Sequence, residues 1–354
     1  MIFDSTQMKI LRDKFKDLPN YEVPDIVFLD RHGEYEGERQ LLEYLFSTVS
    51  YQKQQDWFGR LVNADFQPHV GAWFEIMLYG WLRERFSVQV EPEILGNFPD
   101  FGLELSKLQL AIEAKAFLVP PEERDRRQKL NRIISTLGGI SKPFSVILKI
   151  EQLGENIRNG EFVKAVINWL ETAADQRLDY QDRRGNILQL SATPRSNLKK
   201  LGVISSEGVG VNPEVLRPPL SKKADQHKAL RKAGYPYIIA IFLEPSHLSA
   251  EEVCEAWMGK TTIIYDVEIN KVIEEKFDES GISFFKQEIL HKSVTGILVF
   301  KAEYDGGRKS RYLHPWYIQN PYATTMIDPN IFPVDSRFMV VGQNNEMFEM
   351  KWVK

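Results

Sequence analysis

Apolar and polar residues alternate along Leu108–Phe117, and this alternation predicts a β-strand. Successive side chains of a strand point to opposite faces, so one face of this strand is apolar throughout. The opposite face carries Glu113 and Lys115, two residues apart. A second strand is predicted at Phe101–Leu105, directly after Asp100. If the two strands pair, the carboxylates of Asp100 and Glu113 meet on one side of the sheet.

Residues 68–86 form a predicted helix that is apolar on almost every side, which is typical of a buried helix. Pro68 suits the first turn of this helix. Glu75 lies in its middle, and a buried carboxylate needs a cation, a metal ion or hydrogen-bond donors. Either an ion pair with an arginine or a metal site would satisfy it. We favour the metal site, because Asp100 and Glu113 follow at suitable distances.

The region before this helix is also mostly helical in pattern, from Glu36 to about Asn63. It can pack on the core or pair with a second copy of the chain. Residues 21–30 are interpreted as a short edge strand, and Val88–Leu95 as the first strand of the core.

The middle of the chain contains a highly charged predicted helix at 121–136, whose mixed acids and bases indicate a solvated face. Strand Phe144–Ile150, helix Gly160–Ala174 and strand Asn186–Ala192 follow. We interpret this strand-helix-strand unit as an insertion between the third core strand and the next core helix. In the alternative interpretation, 121–136 and 144–150 are themselves the core helix and the fourth strand.

The last third of the chain begins with a predicted helix Ser221–Ala233 and an apolar strand Tyr237–Glu244. A helix at Ala250–Met258 and several strand-like runs follow. The aromatic and proline-rich tail from His314 onward could stack on nucleobases, but such clusters more often pack against a core.

The amino-acid composition excludes several classes of protein. The chain has 354 residues, of which 43% are hydrophobic, so a substantial core is expected. The single cysteine, Cys254, excludes an intrachain disulfide and a cysteine-rich zinc site. A signal peptide and a membrane-spanning run are not evident, so a cytoplasmic protein without membrane partners is expected. Nucleotide-binding loops and the protease and serine-hydrolase motifs are not found either.

The formal net charge of -4 gives no overall attraction to nucleic acid, so any such binding needs a local basic surface. Residues 195–232 provide one, with nine lysines and arginines against three acidic residues. Phosphate contacts supply most of the sequence-independent affinity for nucleic acid. The candidate phosphate-binding residues are Lys199, Lys200, Lys222, Lys223, Lys228, Arg231 and Lys232.

Two carboxylates at close range suit a hard cation such as Mg²⁺, which usually takes one or two carboxylates and keeps several waters. Asp100 and Glu113 could provide this pair. Lys115 would then lie beside the ion, where an ammonium can orient a water or offset the charge that develops on a phosphate.

These residues resemble the PD-(D/E)XK nuclease superfamily, with its restriction-endonuclease-like fold. The match consists of Pro99-Asp100, the triplet Glu113-Ala114-Lys115, and Glu75 on the preceding helix. The resemblance implies that Asp100 and Glu113 hold Mg²⁺ or Mn²⁺ together with the carbonyl of Ala114. It also implies that Lys115 assists the attacking water and that Glu75 completes the metal shell.

The resemblance extends firmly over residues 67–115 and loosely over 221–244. In the superfamily the helix after the third strand often brings a polar residue to the site, and Gln226 is the candidate here, with Lys223 second. A surface helix on the edge of a parallel sheet would explain the same residues.

We therefore expect an α/β protein with a restriction-endonuclease-like core, a mixed central sheet flanked by helices, at 66–245. This core would carry an insertion at about 120–215, an N-terminal helical extension at 1–65 and a C-terminal α+β extension at 246–354. The expected function is metal-dependent cleavage of nucleic acid, DNA rather than RNA, in restriction, phage defence or repair, and as a homodimer where both strands are cut. The alternative is a noncatalytic nucleic-acid-binding or assembly protein that retains the fold.

Overall fold

The computed structural model describes the greater part of the chain. The described residues are 2–18, 23–63, 66–105, 108–118, 121–155, 157–172, 176–195, 198–205, 213–226, 228–244, 248–259, 261–266, 271–277, 281, 284–285, 288–289, 291–344 and 347–354.

The helices follow the apolar periodicity of the chain, and serine side chains cap several of them. Ser5 and Ser50 accept a backbone N–H at the start of two helices, and Ser249 forms a capping box with Glu252. The described helices are α1 (Thr6–Phe15), α2 (Asp25–Arg31), α3 (Glu36–Ser47), α4 (Tyr51–Leu61), α5 (Phe66–Arg83), α6 (Pro121–Gly138), α7 (Asn159–Thr172), α8 (Arg217–Ala224), α9 (Lys228–Lys232) and α10 (Ala250–Met258).

The strands alternate with these helices in the first two thirds of the chain and dominate its last third. They are β1 (Ser87–Val90), β2 (Phe101–Leu105), β3 (Leu108–Phe117), β4 (Phe144–Gln152), β5 (Leu178–Gln181), β6 (Ile187–Pro194), β7 (Gly202–Ser205), β8 (Tyr237–Leu243), β9 (Thr261–Asp266), β10 (Lys271–Phe277), β11 (Phe284–Phe285), β12 (Glu288–Ile289), β13 (Val294–Asp305), β14 (Ser310–Gln319), β15 (Ser336–Asn344) and β16 (Met347–Val353).

The chain divides into two compact units. The larger unit consists of Met1–Leu118 and Val211–Lys354, and the smaller unit of Val119–Gly210. The predicted helical and α+β extensions therefore belong to the same compact unit as the predicted core. Strand pairing is the reason, because β13 pairs in parallel with β8, so the C-terminal segment contributes strands to the central sheet.

The larger unit is built on a mixed eight-stranded sheet with the order β1-β2-β3-β8-β13-β14-β15-β16. Strands β3, β8 and β13 are mutually parallel, and β1, β2 and β3 are antiparallel neighbours. β9 with β10, and β11 with β12, form separate two-stranded sheets. The prediction of an α/β protein with a mixed sheet flanked by helices is confirmed.

Both faces of this sheet are covered, and the alternation of β3 decides which residues each layer contacts. Ile112 and Ala114 pack in the core formed with helices α1 to α5. Ala111 and Phe117 pack in the core formed with α8, α9 and α10. Glu113 and Lys115 alternate with the first set, so they lie on the side of α8.

The smaller unit is a four-stranded sheet with the order β5-β6-β4-β7, and α6 and α7 share its core. Its inward side chains include Val146, Leu148 and Leu190, which alternate with polar or exposed residues. β4 pairs with β6 and β7 in this separate sheet. The alternative in which 121–136 and 144–150 supply the core helix and fourth strand is therefore not the arrangement found, since β8 is the parallel neighbour of β3.

Two local predictions were wrong in the type or the continuity of an element. The part of 21–30 that the structure describes contains α2 instead of an edge strand, because Pro24 precedes the first helical turn and the apolar run packs as a helix. The predicted helix Ser221–Ala233 is two shorter helices, since α8 ends at Ala224. The aromatic tail packs as expected, with Tyr317 and Phe332 in the core, and its first residues, 314–319, belong to strand β14.

Among the described residues, helices are either too short or too polar to cross a bilayer.

Candidate functional site

Strand pairing brings Asp100 and Glu113 together. Phe101 of β2 is the register partner of Ile112 of β3, so the preceding residue, Asp100, lies opposite Glu113. The backbone N–H of Ala114 donates a hydrogen bond of 2.7 Å to Oδ2 of Asp100. The backbone of β3 therefore holds the Asp100 carboxylate beside the Glu113 side chain.

Lys223 bridges the two carboxylates from the helix on that side of the sheet. Its Nζ lies 2.5 Å from Oε2 of Glu113 and 3.9 Å from Oδ2 of Asp100. Leu220 and Ala224 are buried in the core beneath α8, which directs the intervening Lys223 toward β3. The Glu113 side chain is only 5% exposed, so this charge is neutralised inside the protein.

The environment of Asp100 favours its protonated form. Burial raises its pKa, and the charges of Glu113 and Glu75 raise it further, to about 8. The ammonium of Lys223 and the N–H of Ala114 offset only part of this effect. With Asp100 protonated, the ammonium of Lys223 balances the charge of Glu113, and a divalent cation would bind the pair after Asp100 loses its proton.

Glu75 of α5 is held differently. Its carboxylate accepts hydrogen bonds from Nη1 and Nη2 of Arg60 at 2.7 and 2.6 Å, and from Nε1 of Trp57 at 2.9 Å. Nζ of Lys53 lies 3.4 Å from the same carboxylate. Burial alone would raise the pKa of Glu75, but the hydrogen bonds and charge of Arg60 lower it below its ordinary value.

The role predicted for Glu75, completing a metal shell, is thus not how the structure uses this carboxylate. The arrangement found is the alternative that the sequence left open, a buried ion pair with an arginine. The sequence contains a signal for this ion pair. Lys53, Asp56, Trp57 and Arg60 are spaced three or four residues apart, so they share one face of α4. That face is the one that contacts Glu75.

A cleft of about 770 Å³ opens beside these residues, between the end of β3 and the facing ends of α5 and α8. Several of the predicted site residues line it, and basic side chains are prominent among them. The polar lining consists of Arg60, Gln67, Glu75, Lys115, Lys222, Lys223 and Gln226.

Lys115 is an exposed amine that lines this cleft. Partial burial lowers its pKa below the ordinary value, and the nearby charges of Lys223 and Lys222 lower it further. An ammonium in such surroundings gives up its proton more easily and gains from an incoming anion.

Gln226 also reaches the cleft, directly after the end of α8. Its buried Oε1 has no hydrogen-bond partner within the part of the chain that the structure describes. Buried polar atoms are normally paired, so this acceptor is available to a ligand or a water.

The donor set fits a hard divalent cation held by two carboxylates. In the described ranges, three or more His, Cys, Asp or Glu side chains do not gather around one point where a metal ion could be held. Mg²⁺ needs only one or two carboxylates, which Asp100 and Glu113 supply. The carbonyl of Ala114 is the third metal ligand that the resemblance implies. The backbone N–H of the same residue contacts Asp100, so Ala114 lies next to the acidic pair.

The predicted phosphate-binding residues do not form one surface of the larger unit. Lys199 and Lys200 are exposed on the smaller unit, and Lys232 is exposed at the end of α9. The side chains of Lys228 and Arg231 lie outside the described residues. Lys222 is exposed in the cleft, whereas Lys223 is taken up by the carboxylate pair.

Neither a family model, nor a curated protein, nor a solved structure matches this chain. The geometry and electrostatics of the cleft are therefore the basis for inferring a function.

Proposed function

We propose that this protein is a metal-dependent nuclease that hydrolyses phosphodiester bonds, with DNA a better substrate than RNA. The observation that supports the proposal is the Asp100–Glu113 pair, whose contact Lys223 lines a cleft together with Lys115 and Lys222. Carboxylates hold the divalent cation that phosphoryl transfer requires, and amines bind the phosphate. One strand is cut per site, so a homodimer is expected where both strands are cleaved.

The order of elements in the larger unit supports the resemblance to the PD-(D/E)XK superfamily. Helix α5 is followed by β1, β2 and β3, then by α8 and by β8, which is parallel to β3. The smaller unit occupies the chain between β3 and α8. Asp100 directly precedes the second strand, and Glu113 and Lys115 lie on the third, in the order that the resemblance implies.

Each residue of the cleft has a separate task in the proposed reaction. Asp100 and Glu113 would hold Mg²⁺ or Mn²⁺, which when bound supplies Lewis acidity and a more acidic water. Lys115 orients that water or stabilises the charge that develops on the phosphate oxygens, and its lowered pKa eases proton transfer at Nζ. Lys222, exposed in the same cleft, binds a phosphate of the substrate.

Glu75 has a supporting role in this proposal. Its ion pair with Arg60 holds α4 against α5, and its charge adds to the negative potential that raises the pKa of Asp100. It is a positioning residue, because its oxygens are engaged by Arg60, Trp57 and Lys53.

The test is incubation of plasmid DNA, single-stranded DNA and RNA with the protein in Mg²⁺, Mn²⁺ or EDTA. We expect cleavage that requires the metal and is lost in Asp100→Asn and in Lys115→Ala. Metal-dependent cleavage that persists in both variants would remove Asp100 and Lys115 from the site.

A second candidate function is binding of nucleic acid without cleavage. The observation that favours it is the charge of the smaller unit, which has 15 lysines and arginines against 11 acidic residues, although the whole chain is acidic. Salt-sensitive binding of every tested nucleic acid, with cleavage of none, would identify the protein as a binding module.

A further inference from the structure

Lys223 occupies the place where a divalent cation would contact the acidic pair. Its ammonium lies within 2.5 Å of Glu113 and 3.9 Å of Asp100, and the lysine side chain is only 16% exposed. An ammonium and a metal ion compete for the same carboxylate oxygens, and their like charges repel strongly at this range. Both cannot bind the pair in its present geometry.

We infer that Lys223 is a displaceable internal counter-ion, which neutralises Asp100 and Glu113 until a metal ion binds and then contacts the substrate phosphate. This inference rests on the proposed function, because it requires a divalent cation at the pair. A lysine suits such a role better than an arginine, since its ammonium is a point charge on a flexible stem and makes no bidentate fork with a carboxylate.

The position of Lys223 on α8 allows its side chain to move from the carboxylates into the cleft. Lys223 lines the same cleft as Lys115 and Lys222, so its ammonium can leave the carboxylates by rotation of its own side chain. The cleft then presents three amines around the position of a bound phosphate. Attraction to the phosphate replaces the ion pair that the metal has broken.

The contact between Lys223 and the carboxylates also explains how two buried acids are tolerated without a metal. Two adjacent carboxylates cannot both ionise cheaply, and the single ammonium relieves part of their repulsion. Removal of this ammonium should therefore leave a pair that binds a divalent cation more tightly.

The first experiment measures the Mn²⁺ affinity of the wild type and the variants by electron paramagnetic resonance at one and the same pH. We expect Lys223→Met to bind Mn²⁺ about tenfold more tightly than the wild type, because the metal no longer displaces an ion pair. Lys222→Met is the matched control, since it removes the same charge from the neighbouring residue, and it should change the affinity much less. Equal or weaker Mn²⁺ binding by Lys223→Met would overturn the inference.

Cleavage by the same variants distinguishes the proposed role from a merely structural one. We expect Lys223→Met to bind the metal more tightly and yet cleave more slowly, and Lys223→Arg to recover part of the cleavage rate by restoring a cation for the phosphate. A residue that only maintained the fold would weaken metal binding and cleavage together, and that result would also overturn the inference.

A second experiment uses the wild-type protein and does not depend on how a variant folds. Acetylation of individual lysines is followed by mass spectrometry in EDTA and in Ca²⁺, with Lys222 as the internal reference. We expect Lys223 to react slowly in EDTA and severalfold faster in Ca²⁺, as its ammonium leaves the carboxylates. An unchanged rate for Lys223 in a protein that binds Ca²⁺ would refute displacement.

The two proposals fail in different ways. A wild-type protein that binds neither Mn²⁺ nor Ca²⁺ and cleaves nothing would contradict both the nuclease function and the role of Lys223. Metal-dependent cleavage by the wild type, with the same Mn²⁺ affinity in Lys223→Met, would leave the nuclease proposal standing and remove this inference alone.

Discussion

Two kinds of buried carboxylate occur in the larger unit, and their partners differ. Glu38, which is fully buried, accepts hydrogen bonds from the indole N–H of Trp73 at 2.8 Å and from Nη2 of Arg311 at 2.6 Å. Glu75 has the same kinds of partner, the indole of Trp57 and the guanidinium of Arg60. In contrast, the cation that contacts Asp100 and Glu113 is the ammonium of Lys223.

The difference separates carboxylates that hold the fold from a pair whose cation we propose to be exchangeable. A guanidinium forms a rigid fork with a carboxylate, and the indole N–H fixes the orientation further. The Glu38 cluster joins α3 and α5 to β14, and the Glu75 cluster joins α4 to α5. The Asp100–Glu113 pair instead contacts the flexible side chain of Lys223, which lines the cleft.

The largest expected effect is a loss of cleavage when Asp100, one of the two carboxylates beside Lys223, is replaced. Asp100→Asn should lower the rate of metal-dependent cleavage by about 10³-fold, because an amide does not supply the negative charge that the metal ion needs. The same variant should unfold at an equal or higher temperature without metal, since it removes a carboxyl group whose ionisation beside Glu113 is unfavourable.

Steady-state cleavage and thermal unfolding in EDTA measure these two effects. Asp179→Asn, a change of an exposed residue on the smaller unit, is the control for the substitution itself. A lower unfolding temperature together with normal cleavage would show that Asp100 holds the fold, as Glu38 and Glu75 do, and does not act in cleavage.

The next largest effect concerns the structural ion pair of Glu38. Arg311→Met should lower the free energy of unfolding by about 3–5 kcal/mol, because it leaves the buried Glu38 carboxylate without its cation. Urea unfolding measures the change, and Arg308→Met, whose side chain is 80% exposed, should change the stability by less than about 0.5 kcal/mol. Equal stability of the two variants would show that the Glu38 cluster does not hold α3 to β14.

The Glu75 cluster should respond in the same direction, but less strongly. Arg60 is 28% exposed in its side chain, and Lys53 also neutralises Glu75, so Arg60→Met should lower the free energy of unfolding by about 2 kcal/mol. Cleavage per folded molecule should fall only severalfold. A loss of cleavage as large as that of Asp100→Asn would show instead that Glu75 acts directly in the site.

The smallest effect is a dependence of metal binding on pH. The pKa of Asp100 is raised from 3.8 to about 8, so its contribution to the stability of the metal-free protein is complete below pH 3.8 and is lost as the pH rises through 8. A metal ion binds the ionised carboxylate, so Mg²⁺ should raise the unfolding temperature more at pH 9 than at pH 6.5.

The apparent Mg²⁺ affinity should fall about tenfold for each pH unit below the pKa of Asp100. Thermal unfolding with and without Mg²⁺ at several pH values measures this trend. In Asp100→Asn the trend should disappear, and a stabilisation by Mg²⁺ that is independent of pH in the wild type would argue against metal binding at Asp100.

The hydrophobic pattern of the sequence was sufficient to predict several elements, including the two strands next to the acidic pair. Strand Leu108–Phe117 and helix Ala250–Met258 have the predicted bounds, and β2 also agrees with its prediction. These segments have a clear periodicity over their whole length, and hydrophobic periodicity is the strongest local signal of structure. The apolar run within 21–30 is only four residues long, at 26–29, and such a short run fits a strand or a buried helix equally well.

The partners of the charged residues could be foreseen only in part. The cations on one face of α4 can be recognised from their spacing, but the spacing does not tell which carboxylate they contact. Glu38 and Arg311 are 273 residues apart, and Glu113 and Lys223 are 110 apart. Contacts across such distances depend on the packing of whole layers.

The amino-acid sequence alone was enough to establish an α/β chain with an acidic pair and a lysine near the third core strand, because side-chain alternation and helical spacing are local properties of the backbone. The tertiary structure was needed to show that Glu75 forms its ion pair with Arg60 and that Lys223 contacts the acidic pair. It was also needed to show that the C-terminal strands extend the central sheet. Those outcomes depend on which layers meet, and the meeting of layers is governed by the burial of apolar surface over the whole unit.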